Sequence, residues 1–211
     1  MEVRKSCKGN EAAVVDTSNI SALSALISSP LILNRVVEAE LIATLYEMDS
    51  INLDKTKRVG FLASGKTDAR YGNGKCSPDF NLFEDSHSII QKLVEDLTRS
   101  MMKSVKSDVL IHESFFNILG AGGGLTPHNH INNLDKDIAF NLAKQKYSLV
   151  YYLSVGDQDC SEPGILKLYD PEEEILPCDG MIVIFPAGRL HSAVYGGKKD
   201  RIIIGVNFYS L

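Results

Sequence analysis

The chain has 211 residues, 44% hydrophobic and 23% charged, enough for one substantial core and too little for two large domains. Its 22 Lys and Arg against 27 Asp and Glu give a net charge of −5, which lacks the basic footprint of a nucleic-acid binder. No apolar run approaches the ~20 residues of a membrane span, so no membrane partner is expected either. The N-terminal MEVRKSCKGNEAAVV has no apolar leader core, and residues 1–18 read as a loose polar arm. Cys7, Cys76, Cys160 and Cys178 show no C-x-x-C spacing, which suggests neither a zinc ribbon nor a disulfide framework. A reduced, cytoplasmic protein is the expectation.

Between 31 and 50, Val37, Leu41, Leu45 and Met48 recur at three or four residues and predict a helix with one apolar face. Residues 52–82 are rich in Gly, Lys, Asp and Asn and read as a long irregular segment, of the kind that is usually functional or mobile. A second helix is predicted over 88–105, with Ile90, Val94, Leu97 and Met101 as its stripe and Ser86 or Ser88 as its cap. After residue 107 the texture changes to short β runs: DVLIHESFFNIL, YSLVYYLSV, GILKLYD, GMIVIF and RIIIGVNFY, with 134–145 the one place for a helix among them. Helices followed by a β half predict a single α+β domain, with a helical region over 1–107 and an antiparallel sandwich or barrel over 108–211.

Two strings invite misreading. Residues 60–67 (GFLASGKT) satisfy the phosphate-loop pattern G-x-x-x-x-G-K-[ST]. That loop needs a buried strand before it and a helix after it. Upstream INLDKTKRV is too charged for such a strand, and downstream DARYGNGKCSPDF is too broken for such a helix, so a basic surface loop is expected. His128-Asn129-His130 spells HNH, yet the nuclease of that name disperses those residues over a ββα element.

The chemistry-bearing pattern lies in the β half. His128 and His130 are two apart, so on a strand both point to one face, after a glycine run at 122–124 that lets the backbone bend. His191 follows GMIVIFPAGRL, a strand ending in a Pro-Ala-Gly turn. An i,i+2 pair plus a distant third histidine at a strand end can present three imidazoles to one metal, which suits iron, zinc, copper or nickel. Arg201 stands ten residues past His191 at the head of an apolar strand. If it points inward it needs an anionic partner, and a guanidinium is a natural receptor for a carboxylate. His87 and His112 read as structural, as do most tyrosines of 147–152.

These residues resemble a known family. The stretch 115–211 is similar to the double-stranded β-helix (jelly-roll) core of the Fe(II)/2-oxoglutarate-dependent oxygenases, in their prolyl-hydroxylase-like branch. The resemblance rests on GAGGGLTP, His128-Asn129-His130, Tyr151-Tyr152-Leu153, PGILKLYDP, Pro177-Cys178-Asp179-Gly180, His191 and Arg201. The spelling is closest to a little-characterised His-x-His subfamily of that superfamily. The resemblance implies a jelly roll buttressed by N-terminal helices, and Fe(II) held by His128, His130 and His191. It also implies 2-oxoglutarate as cosubstrate, bound at its distal carboxylate by Arg201 and Tyr152 with Asn117 and Asn207 lining the pocket. The implied reaction consumes O₂ and couples decarboxylation to hydroxylation of a substrate the sequence does not name. His130 stands where the branch usually has Asp, Ile203 where many members have Ser or Thr, and 131–147 is longer than the usual link. Asp135 and Asp137 are the nearest carboxylates that could add a ligand.

The alternative is a cupin-type metal-binding β-barrel. Gly122-x5-His128-x-His130 and Gly180-x5-Pro186-x-Gly188-x2-His191 also resemble the two cupin motifs, with Asp135 in place of the usual Glu ligand and Tyr195 in place of the usual Asn. This reading keeps the three histidine ligands but leaves open a cofactor-independent dioxygenase, an isomerase or a non-catalytic binding protein.

Overall fold

In the computed structural model, residues 29–53, 60–61 and 67–211 are described, with backbone alone at 60–61 and 67–68. Cys7, the arm at 1–18 and most of the phosphate-loop string lie outside these residues. In chain order the strands are β1 (Leu31–Asn34), β2 (Ile51–Asn52), β3 (Gly60–Phe61), β4 (Thr67–Asp68), β5 (Arg70–Tyr71), β6 (Gly74–Cys76) and β7 (Val109–Leu119). They continue with β8 (Gly123–His128), β9 (Lys146–Ser154), β10 (Leu166–Leu168), β11 (Glu173–Ile175), β12 (Met181–Pro186), β13 (His191–Tyr195) and β14 (Arg201–Ser210). The helices are α1 (Ala39–Glu47) and α2 (Ser88–Val105). No described helix is long and apolar enough to cross a membrane.

Two antiparallel sheets face each other. The larger has the order β1-β12-β9-β14-β7-β6-β2 and the smaller β11-β10-β13-β8-β5, which is the double-stranded β-helix. Alternation along the central strands explains their unbroken apolar runs. On β14, Ile202, Ile204, Val206 and Phe208 pack with Leu41 and Leu45 of α1 and with Ile90, Leu93, Leu97 and Met101 of α2. Ile203 turns the other way, into the cluster between the sheets with Tyr152, Leu166, Leu168, Val183 and Phe185. Both faces of this sheet are covered, so its central strands are mostly apolar on both sides, with polar residues such as Arg201 and Asn207 turned toward the facing sheet.

The helix at 88–105 has the predicted span, with Ile89, Leu93 and Val105 joining Ile90, Leu97 and Met101 in its buried face and Val94 only partly buried. Neither Ser86 nor Ser88 caps it. His87 occupies the N-cap with no side-chain bond, and its own N–H donates to Asp85 Oδ1 at 2.8 Å. The helix predicted over 31–50 is shorter: α1 keeps Leu41 and Leu45 at its centre, while Leu31–Asn34 pairs in register with Ile184–Met181 on the open edge of β12. Unpaired backbone groups on that edge outweigh a weak helical pattern.

The segment 52–82 also departs from expectation. Its described residues include β5, which joins the small sheet beside β8, and β6, which joins the large sheet beside β7. The phosphate-loop string is bracketed by an antiparallel pair, β3 with β4, so a strand follows it and the helix that such a loop needs is missing. In the segment 134–145 the only regular element is a 3-10 turn at Leu142–Lys144. No disulfide joins Cys76, Cys160 and Cys178.

Candidate active site

β8 and β13 run antiparallel with His128 directly opposite His191. β8 ends at His128, so His130 lies just beyond the strand, where its N–H donates to Ala187 O at 2.9 Å. That bond ties it to the Pro-Ala-Gly turn before His191. Candidate ligand atoms of the three histidines all lie within 4.8 Å of one another, the only such His, Cys, Asp or Glu group among the described residues. His128 Nδ1 faces Thr126 O at 2.7 Å and His191 Nδ1 faces Arg189 O at 3.1 Å. A backbone carbonyl only accepts, so each Nδ1 carries the proton and each Nε2 keeps its lone pair. His130 Nε2 lies 3.3 Å from His191 Nε2. Burial, reinforced by the other two imidazoles, holds the His191 pKa well below its ordinary value, so it stays a neutral donor. Phe185 stands edge-on to its ring at 4.9 Å.

The three histidines, Tyr152, Arg201, Ile203 and Asn207 line one cavity between the sheets. Arg201 is 2% exposed, with its guanidinium carbon 5.0 Å from the Tyr152 ring centre and 6.0 Å from that of Tyr195. Its Nη1 has no hydrogen-bond partner, and no carboxylate among the described residues pairs with it. Burial lowers its pKa against the opposing influence of Tyr152 and Tyr195; burial raises that of Tyr152. Gly164 makes room for this group. It has φ +78°, and a Cβ there would land on Nη1 and 2.6 Å from Cζ.

Register sorts the remaining candidates. Asn117 and Tyr152 flank Ile203 on its two neighbouring strands, and Glu113 and Ser148 flank Asn207 in the same way. Asn117 is fully buried, and neither atom of its amide has a partner. Asn207 has three: Nδ2 lies 2.8 Å from Glu113 Oε2 and 3.2 Å from His130 Nδ1, and Oδ1 accepts from Ser148 Oγ at 2.7 Å. It stands six residues from Arg201 on one strand, about 20 Å along the chain, so the two serve opposite ends of the cavity.

The extra carboxylates considered from sequence are committed elsewhere. Asp135 accepts from Lys146 Nζ at 2.8 Å, Tyr209 Oη at 2.7 Å and Asn132 N–H at 2.8 Å. Burial disfavours its charge, but those bonds win and lower its pKa. Asp137 Oδ1 accepts the Ala139 N–H. Neither belongs to the histidine group. His112 lies exposed on β7 beside Tyr209 and His87 at a helix start, both away from the cavity. Sequence reading missed Glu113, Ser148, Gly164 and Tyr195 as surroundings of the site. Glu113 had one signal, being charged at alternate spacing from Phe115 and Asn117 on a strand otherwise turning apolar. Ser148 is placed by strand register, and Gly164 and Tyr195 by their closeness to the Arg201 guanidinium.

No family model matches the sequence, and no curated protein matches it. Solved structures do match. An oxidoreductase of the 2OG-Fe(II) oxygenase family from Burkholderia pseudomallei aligns with TM-score 0.58 at 13% identity, over 92% of each chain. A prolyl hydroxylase from Trichoplax adhaerens, solved with a hypoxia inducible factor oxygen degradation domain peptide fragment, aligns with TM-score 0.61 at 16% identity, over 90% of this chain and 87% of its own. A viral collagen prolyl hydroxylase from Paramecium Bursaria Chlorella virus-1, solved with 2OG, gives 0.58 at 13%, over 86% and 96%. The protein thus has the double-stranded β-helix fold of the 2OG-Fe(II) oxygenases. A His-x-His…His group able to hold a metal stands on its cavity wall.

Proposed function

We propose that the chain is an Fe(II)- and 2-oxoglutarate-dependent oxygenase, acting as a hydroxylase on a small molecule or a peptide side chain. One observation carries the reading: a buried guanidinium with no acidic partner shares a cavity with three convergent imidazoles. A buried cation without a counter-ion is strongly unfavourable, so the cavity is built to receive an anion. The donor set fits a divalent metal, since His128 and His191 hold Nε2 lone pairs inward and His191 stays neutral.

His128, His130 and His191 would hold the iron. When bound, iron and 2-oxoglutarate together supply the oxidation of a C–H bond by O₂, with succinate and CO₂ as the cosubstrate's products. Arg201 receives the distal carboxylate, its planar fork held between Tyr152 and Tyr195. Asn117 keeps donor and acceptor both unspent opposite Ile203, but it is not among the residues that line the cavity. Phe115, Leu125, Val150 and Ile203 line the cavity and exclude water from the reacting atoms.

The test separates the two halves of the site. His191→Ala should abolish stoichiometric metal binding, and Arg201→Ala should retain metal while weakening 2-oxoglutarate about 10- to 100-fold, the worth of a charge-assisted hydrogen bond. Metal retained by His191→Ala refutes the triad. Unchanged 2-oxoglutarate affinity in Arg201→Ala refutes the cosubstrate, and with tight metal binding it leaves the cupin-type barrel.

A further inference from the structure

The Arg201 guanidinium is walled by the Tyr152 and Tyr195 rings, at 5.0 and 6.0 Å, and by the backbone of Gly164 beside Nη1. The two tyrosines stand on β9 and β13. Gly164 belongs instead to the connection 155–165 between β9 and β10, and Arg201 opens β14 directly after the turn at 196–200. One hydroxyl joins that connection to that turn. Tyr195 is 1% exposed; its Oη accepts the Asp157 N–H at 2.7 Å and donates to Lys199 O, two residues before Arg201. A phenol carries a single proton, so it can donate to one carbonyl while accepting from one amide. Two glycines make room for it. A Cβ on Gly156, whose φ is +72°, or on Gly197 would collide with Oη and lie 2.7 or 2.6 Å from Tyr195 Cζ. The backbone seconds the hydroxyl: the Gly196 N–H donates to Glu162 O at 2.8 Å, and Pro163, next to Gly164, bridges to Tyr195.

We infer that Tyr195 is a positioning residue that fixes the depth of the anion receptor and so selects the chain length of the dicarboxylate bound there. A 2-oxo diacid held by the histidine-bound metal at one end and by Arg201 at the other is measured by the separation of the two. A longer acid has to push the guanidinium back, against Gly164 and the Tyr195 ring. The hydroxyl resists that movement at two points, since it holds its own ring in place and ties the chain on both sides of the guanidinium. Without it the ring slides, the turn at 196–200 slackens, and Arg201 takes a range of positions in place of one. Preorganisation of the receptor is lost, together with its selectivity. The inference rests on the cosubstrate reading above and deepens it.

The experiment titrates the full Mn(II)-loaded chain calorimetrically with 2-oxoglutarate and with 2-oxoadipate, one methylene longer. Wild type should prefer 2-oxoglutarate by about tenfold or more, the discrimination a confined site makes against one methylene. Tyr195→Phe removes one oxygen and keeps the ring. It should weaken 2-oxoglutarate about 3- to 10-fold, the worth of a neutral hydrogen bond, and leave 2-oxoadipate unchanged or tighter. A merely structural role lowers the unfolding midpoint and leaves the ratio of the two affinities as it was. A folded Tyr195→Phe protein with the wild-type ratio therefore overturns the inference, whether both affinities hold or fall together. Wild type that binds the two acids equally also overturns it, with no variant needed. Wild type that takes up Mn(II) and binds neither acid refutes the cosubstrate reading itself, which distinguishes the two failures.

Discussion

Gly164→Ala tests the anion receptor without removing a polar atom. The added methyl group meets two obstacles. At φ +78° an L side chain is strained by roughly 1–2 kcal/mol. The Cβ also lies 2.6 Å from Arg201 Cζ, well inside contact distance, so either the turn or the guanidinium must move. The guanidinium has little room, being 2% exposed with the Tyr152 and Tyr195 rings at 5.0 and 6.0 Å. A shift of a few tenths of an ångström or more misaligns its fork with a carboxylate. The expected loss is that of a charge-assisted hydrogen bond, about 1.5–3 kcal/mol, or roughly 10- to 100-fold in affinity. Calorimetric titration of the Mn(II)-loaded variant with 2-oxoglutarate reads this directly, and metal affinity, set by the three histidines away from Gly164, should stay within about twofold. Combining the change with Arg201→Ala should weaken 2-oxoglutarate no further than Arg201→Ala alone, because both act on one group. A folded Gly164→Ala protein with wild-type 2-oxoglutarate affinity, or one that loses metal in parallel, refutes the reasoning.

Two further outcomes follow from buried charge. Lys146→Met strands the Asp135 carboxylate, whose side chain is 0% exposed, and should lower stability by about 3–5 kcal/mol in urea melts. Adding Asp135→Asn should recover part of that, and a loss under about 1 kcal/mol would show that the pair does not anchor the segment after His130. His191 predicts a pH effect of definite sign. Its folded pKa is depressed below 6.5, so below that pH the unfolded chain binds a proton that the folded chain refuses. Metal-free stability should therefore fall as pH drops from 6.5 toward the folded value and level off beneath it, and His191→Gln should flatten that slope in thermal melts.

The sequence by itself determined the β half, the span of α2 and the three histidines and arginine worth watching. Those signals are local: a period of 3.6 or 2, turn residues, and rare residue types at strand ends. It did not determine that Leu31–Asn34 is a strand, because an edge strand owes its form to the open edge of β12 rather than to its own pattern. Nor did it determine that β5 and β6 extend the two sheets from a stretch rich in loop formers. Asp135 looked like a spare ligand until Lys146 and Tyr209, 11 and 74 residues away in sequence, were found to bind it. Asn207, which by resemblance belonged with the cosubstrate, stands among Glu113, Ser148 and His130. The register of three antiparallel strands places Glu113 and Ser148 beside it, and the facing sheet brings His130 to it. One-dimensional pattern fixes which face a residue takes, and strand pairing fixes which residues share that face.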